Sequence, residues 1–220
     1  MMNSVNAFFR SIYSWMAAGV FVSGIFAWLT MNSFLIVFLQ NPVLFYGAIG
    51  IELALVIGVQ WMINRISSNT AFIIYFIYAA LNGVTMAGFL FYFLSTNPTV
   101  ALVIFGVAIS MFAALAVLGY TTKFNLSGWG TFLFMAVWGI LFSSIANIFL
   151  QNDFFSLIIS AVALLVFSAL TVYDNQYYKN IFAQLQTEEE QSKAATIGAL
   201  HMYINFIMIF QSLLNLFGRE

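Results

Sequence analysis

Long apolar segments separated by short polar breaks constrain this chain more than any other feature of its sequence. A transmembrane helix needs about 20 predominantly apolar residues, and the polar clusters recur at that interval. The apolar segments cover approximately residues 11–31, 43–63, 70–94, 99–120, 129–150, 154–173 and 195–217. The sequence therefore predicts an all-α integral membrane protein with seven transmembrane helices, forming a single domain over residues 1–220.

The composition excludes the main classes of soluble protein. Hydrophobic residues make up 63% of the 220 residues and charged residues only 6%, whereas an ordinary soluble domain has roughly 25% charged residues. The net charge of −1 provides no basic surface for nucleic acid. The chain has no cysteine, which excludes disulfides, thiolate metal sites and thiol nucleophiles. The expected partner is the lipid bilayer, with other membrane proteins as further candidates.

The first apolar segment is longer than the apolar core of a signal peptide and has no clear cleavage site, so we expect it to remain as a helix.

The basic residues predict the orientation of the chain, because Lys and Arg are concentrated in cytoplasmic loops. If the N-terminus is cytoplasmic, only Arg219 falls outside, and the other five basic residues fall inside: Arg10, Arg65, Lys123, Lys179 and Lys193. The sequence therefore predicts a cytoplasmic N-terminus and an external C-terminus.

Two acids, one inside an apolar segment and one at the end of another, are functional candidates, because charge in the hydrocarbon core is costly. Glu52 lies inside the second segment. It is either an ion ligand or protonatable group, or a neutral carboxylic acid that joins helices by hydrogen bonds. Asp174 is predicted to close the sixth helix at the cytoplasmic side, where it would oppose the helix dipole. It is either a solvated end residue or part of a gate or ion site.

A stripe of mostly polar side chains follows one face of the seventh segment, at spacings of three and four residues: His201, Asn205, Met208, Ser212 and Asn215. Facing lipid would leave amides and an imidazole unpaired, so the stripe is predicted to face other helices or a water-filled path. His201 is either a pH sensor or a hydrogen-bonded structural residue. Glu188, Glu189 and Glu190 are predicted to start this last helix, where acids are favourable.

Pairs of residues four apart offer places where helices could approach closely: Gly19/Ser23, Gly47/Ile51, Gly83/Ala87 and Gly106/Ser110. Three of these pairs have the small-xxx-small spacing of membrane helix contacts. A chain with 14 glycines produces such pairs easily, so the pattern alone does not select among them.

Catalytic motifs are missing from the sequence, which contains no HExxH, no Gly-x-Ser-x-Gly and no P-loop. As the only histidine, His201 cannot form a multi-histidine metal site. We therefore expect neither an enzyme nor a cofactor.

Three ordered motifs resemble the Bax inhibitor-like family, the transmembrane Bax-inhibitor-motif proteins, and the short loops resemble its bacterial branch. The motifs are GYTTKFNLSGWGTFLFMAVWGILFSSIANIFLQN (119–152), ALTVYDNQ (169–176) and GALHMYINFIMIFQSLLNLFG (198–218). The similarity extends weakly through the first three helices. The resemblance implies a fold in which six helices surround the last one. It also implies a pH-sensitive calcium leak and, in eukaryotes, suppression of cell death.

The resemblance assigns roles to individual residues. Asp174 matches the family's first gating acid, and Glu52 matches the acid in its second helix. The second gating acid is replaced by Asn205, within Met-Tyr-Ile-Asn-Phe-Ile (202–207), and an amide cannot ionise. The family's proton-sharing switch between two carboxylates therefore cannot operate here in that form. Arg65 is the nearest match to a basic residue that pairs with these acids.

The functional prediction is a multi-pass inner-membrane protein that passes cations passively, calcium first among them, with Asp174 at a cytoplasmic gate. Asp174 is also the candidate calcium contact, although calcium prefers several oxygen ligands and the candidates here are few. The alternative is a non-conducting interaction protein that modulates other membrane machinery, such as a protease. The sequence contains no filter motif that decides between these functions.

Overall fold

The structure of the protein, a computed structural model, describes residues 4–62 and 65–218. In these residues, seven helices are long and apolar enough to cross a membrane, so the predicted all-α, seven-span fold is confirmed. Ile63, at the end of the predicted second segment, and Arg219, the predicted outer basic residue, lie outside the described residues.

The helices follow the apolar segments closely, with one short additional helix between the first two spans. Their bounds are α1 Val5–Ser33, α2 Leu35–Gln40, α3 Pro42–Met62, α4 Ser68–Thr96, α5 Pro98–Thr121, α6 Gly130–Leu150, α7 Asp153–Phe182 and α8 Glu188–Phe217. A 3₁₀ turn at Ser127–Trp129 precedes α6.

Polar residues in the breaks act as helix caps. The Asn97 side chain accepts a hydrogen bond from the Val100 N–H (3.2 Å) before α5, and Asn152 accepts one from Phe155 (2.9 Å) before α7. At the start of α8, Thr187 and Glu190 exchange backbone and side-chain hydrogen bonds in a capping box. The prediction that Glu188 begins the last helix is confirmed.

The predicted end of the sixth span at Tyr173 is wrong, because α7 continues to Phe182. Asp174 therefore lies about two turns inside the helix, and the argument that it opposes the helix dipole at a C-terminus does not apply. The prediction was wrong because it placed the helix end at the first polar residues, and the polar residues after Tyr173 continue the helix. The four residues Thr171, Asp174, Asn175 and Tyr178 repeat at helical spacing and are all buried.

The chain divides into two compact units. Unit 1 comprises Met1–Ser95 and Gln184–Tyr203, and unit 2 comprises Thr96–Ala183 and Ile204–Glu220. Helix α8 contributes its first half to unit 1 and its second half to unit 2. The single domain over residues 1–220 stays a prediction.

Helix α8 is the most buried of the seven spans. Of its apolar window, 78% of the residues are buried, against 33% or less in each other span. Many large apolar side chains on the other helices are exposed, among them Phe21, Val43 and Phe149, as expected for helices that face lipid. The arrangement of six helices around the last one stays an implication of the resemblance.

Within unit 1, two of the four predicted small-residue pairs form close contacts. A methyl group added at Gly83 would overlap the backbone carbonyl of Ser23, and one added at Gly19 would overlap the Tyr75 hydroxyl. Gly47 in unit 1 and Gly106 in unit 2 face open space. The spacing of small residues therefore predicted close helix contacts correctly in α1 and α4 only.

Candidate functional site

Asp174 and Asn205 form a buried hydrogen-bonded pair in unit 2. Asn205 Nδ2 on α8 donates to Asp174 Oδ2 on α7 at 2.7 Å. The exposed fractions are 8% for Asp174 and 3% for Asn205, so the bond lies away from the surface. The distance is typical of a charge-assisted hydrogen bond. The sequence resemblance placed these two residues at one site, and the structure brings them together.

The helix around Asp174 is held by further polar contacts. Asn175, fully buried beside it, donates to the Thr171 carbonyl at 2.7 Å. Gly119 of α5 allows close approach to this part of α7, because a side chain there would overlap the backbone of Val172. The part of α7 next to Asp174 is therefore closely packed against α5.

The end of α7 is fixed to α5 and to the segment after it. Lys179 Nζ donates to the Tyr120 carbonyl at 2.7 Å and lies 4.7 Å from the centre of the Tyr120 ring. Gln176 accepts from the Leu126 N–H (2.8 Å) and donates to the Phe124 carbonyl (2.7 Å). A cation near the last carbonyls of α5 is favourable. These contacts hold the last two turns of α7, which follow Asp174.

The polar stripe of α8 packs against α7 in unit 2. Asn215 Nδ2 donates to the hydroxyls of Ser160 (2.6 Å) and Ser156 (3.0 Å). With the bond from Asn205 to Asp174, two members of the stripe bind α7. The prediction that the stripe faces other helices is confirmed for Asn205 and Asn215. Ser156 and Ser160 were not predicted, although both lie on one face of α7 at a spacing of four.

A second polar cluster lies in unit 1 around Glu52, which is 9% exposed. The Glu52 carboxyl accepts from Thr85 Oγ1 at 2.7 Å and from Asn82 Nδ2 at 3.3 Å. The Tyr203 hydroxyl donates to Asn82 Oδ1 at 2.8 Å and lies 2.5 Å from Ser23 Oγ. These five residues, called the Glu52 cluster below, join α1, α3, α4 and α8. Of these five residues, only Glu52 was named from the sequence as a candidate for function.

Arg65 and His201 are the remaining predicted site residues. Arg65 is exposed and lines a cleft of about 390 Å³ together with Thr187, Glu189 and Lys193. His201 is half-buried on α8. The pairing of Arg65 with Asp174 stays a prediction. No group of three His, Cys, Asp or Glu residues that could hold a metal ion occurs in the described part of the chain.

Comparison with known proteins agrees with the motifs. The family model described as "Inhibitor of apoptosis-promoting Bax1" matches residues 5–220. The inner membrane protein YbhL of Escherichia coli K12 is 34% identical over 220 residues, covering 98% of this chain and 93% of YbhL. A membrane protein of Streptococcus pyogenes serotype M3 is 33% identical, with 98% and 94% covered. A protein of Borreliella burgdorferi B31 is 31% identical, with 98% and 93% covered. The chain, a multi-pass membrane protein, therefore belongs to the Bax inhibitor family.

Proposed function

We propose that this protein passes cations, calcium first among them, down their gradient across the membrane, and that it is not an enzyme. The Asp174–Asn205 pair forms the cytoplasmic gate of the path. The proposal depends on the observation that a carboxylate inside a membrane helix is buried and accepts a 2.7 Å hydrogen bond from a side chain of another helix. A bond between two side chains can break while both helices stay intact. The closed state of the gate would contain this bond, and the open state would lack it.

Charge makes the pair suited to this role. An ionised Asp174 attracts cations to the path, and the amide of Asn205 occupies its oxygen while the gate is closed. A charge-assisted hydrogen bond contributes about 1.5–3 kcal/mol, compared with about 0.5–1.5 kcal/mol for a neutral one. The closed state is therefore favoured for as long as the carboxylate is ionised and paired.

Calcium flux into proteoliposomes that contain only this protein tests the proposal. Asp174→Asn keeps the shape of the side chain and permits a neutral amide–amide hydrogen bond. We expect the leak at neutral pH to rise roughly fivefold, because the closed state loses about 1 kcal/mol. Acidification should have little further effect on this variant.

Asp153→Asn is the matched control, because it makes the same chemical change at an exposed residue in the first turn of the same helix. Its flux should equal that of the wild type. Unchanged flux in folded Asp174→Asn would remove Asp174 from the gate. Flux no higher than in protein-free liposomes would contradict conduction and favour the non-conducting interaction protein.

We also propose that the protein lies in the inner membrane with its N-terminus in the cytoplasm. The name of its relative YbhL supports the location. Span counting supports the orientation, since Arg65 follows the second span, Lys123 the fourth, and Lys193 lies near the start of the seventh. With a cytoplasmic N-terminus, all three positions are cytoplasmic.

A further inference from the structure

The Glu52 cluster contains a run of short oxygen–oxygen contacts that link three helices of unit 1. Asn82 Oδ1 lies 2.8 Å from the Tyr203 hydroxyl, which lies 2.5 Å from Ser23 Oγ, which in turn lies 2.7 Å from the Ala79 carbonyl. At such distances two oxygens need a proton between them. The run therefore has three contacts that each require one proton.

When Asn82 Oδ1 faces Tyr203, there are fewer protons than oxygen–oxygen contacts. A carbonyl oxygen has no proton to give, so only the hydroxyl protons of Tyr203 and Ser23 serve the three contacts. The carbonyl of Gly19, 3.0 Å from Ser23 Oγ, competes for one of them. One short contact then places lone pairs against each other, which is unfavourable in a buried, low-dielectric position.

A half-turn of the Asn82 amide removes this deficit. Its Nδ2 then donates to Tyr203, Tyr203 donates to Ser23, and Ser23 donates to the Ala79 carbonyl. The amide oxygen now faces the Glu52 carboxyl. Only a protonated Glu52 can donate to it, because an ionised carboxylate accepts hydrogen bonds and donates none.

We propose that Glu52 is a proton-binding site, which carries a proton at neutral pH and begins a one-way chain of hydrogen bonds through Asn82, Tyr203 and Ser23 to the Ala79 carbonyl. The chain connects α3 through α4 and α8 to α1. Loss of the proton requires the amide to turn back and leaves one contact without a proton. The bound proton therefore stabilises the packing of these four helices.

The surroundings of Glu52 agree with a neutral acid. Its hydrogen-bond partners, Thr85 and Asn82, are uncharged. Tyr203 of α8, which contacts Asn82 in the same cluster, is a phenol and provides no positive charge. Helix α1 contributes Ser23 to the chain of hydrogen bonds, and the serine hydroxyl does not titrate. The proposal does not depend on cation passage and would hold for a non-conducting protein.

Infrared difference spectroscopy on the purified full-length protein tests the protonation directly. The C=O stretch of a protonated carboxylic acid lies above the amide I band and shifts in D₂O. We expect this band in the wild type at neutral pH and its loss in Glu52→Gln. Asp174→Asn serves as the control for the other buried acid and should keep the Glu52 band.

The spectrum can also overturn the proposal. Absence of the band in the wild type at neutral pH would show an ionised Glu52. So would a carboxylate band that shifts when calcium or sodium is added and disappears in Glu52→Gln, since Glu52 would then be a cation ligand.

Unfolding in detergent tests the chain of hydrogen bonds. Glu52→Gln can still donate to Asn82 and accept from Thr85, so its ratio of unfolded to folded protein should stay close to that of the wild type. Tyr203→Phe removes the middle link and should raise this ratio on the order of tenfold. Tyr46→Phe, the same change at an exposed position of α3, should have no effect. A strongly destabilised Glu52→Gln, or a Tyr203→Phe as stable as Tyr46→Phe, would contradict the chain.

Discussion

Asp174 and Asn205 form a hydrogen bond in which only one of the two side chains can ionise. The amide donates to an ionised Asp174 without any uptake of a proton. Two carboxylates at this distance would behave differently, because simultaneous ionisation is penalised and the pair retains one proton. In the proposed gate, the residue at position 205 therefore decides whether the pair itself retains a proton near neutral pH.

Replacing Asn205 by Asp should give the gate a pH response. We expect the leak of the wild type to change little near neutral pH. The leak of Asn205→Asp should change with pH, by at most about tenfold per pH unit, the limit for control by one proton. A flux titration in proteoliposomes from acidic to mildly alkaline pH measures both.

His201 is the main rival source of a pH response, because histidine titrates near neutral pH and this residue lies one helical turn before Asn205. His201→Gln is therefore measured beside the other two proteins. Strong pH dependence in the wild type that survives His201→Gln would refute the role given to Asn205.

At the scale of helices, the sequence predicts most starts and ends correctly where a capping residue marks them, as at Asn97 and Asn152. It fails at the end of α7, because polar residues after Tyr173 resemble a loop by composition while Thr171, Asp174, Asn175 and Tyr178 continue a helical face. The helical spacing of these four residues, and not their polarity, agrees with the observed end of α7. Close helix contacts were less predictable, since residue spacing does not show which helix lies opposite.

The close approach of α1 and α4 gives a prediction for stability. Gly83→Ala places a methyl group against the Ser23 backbone carbonyl, and backbone cannot move aside as a flexible side chain can. We expect the free energy of unfolding to fall by about 1–3 kcal/mol, measured by unfolding in detergent with circular dichroism.

Gly47→Ala is the matched control, because Gly47 lies in the same unit and faces open space. Its free energy of unfolding should be unchanged or should rise by up to about 1 kcal/mol, since Ala favours a helix more than Gly does. Equal destabilisation by the two substitutions would mean that helix contact at Gly83 is not the cause.

For the whole molecule, the seven spans were predictable because length and hydropathy are local properties of a segment. The Glu52 cluster was not, because its members come from four helices and are up to 180 residues apart in sequence. Asn82, Thr85, Ser23 and Tyr203 look ordinary within their own segments. Their partners become visible only after the helices have packed. The pair Asp174–Asn205 was found earlier only because the family motifs identify both positions.

The orientation of the chain gives the last prediction. Helix α8 has 30 residues and is therefore about 45 Å long, more than the roughly 30 Å of the hydrocarbon core. A continuous helix of this length crosses the membrane, so its two ends should lie on opposite sides. A reporter inserted near Glu189 should be cytoplasmic, and one fused after Glu220 should be external. Reporters near Lys123 and Asn97 supply the inner and outer references. If the reporters near Glu189 and after Glu220 are on the same side, the last helix does not cross the membrane and the seven-span topology is wrong.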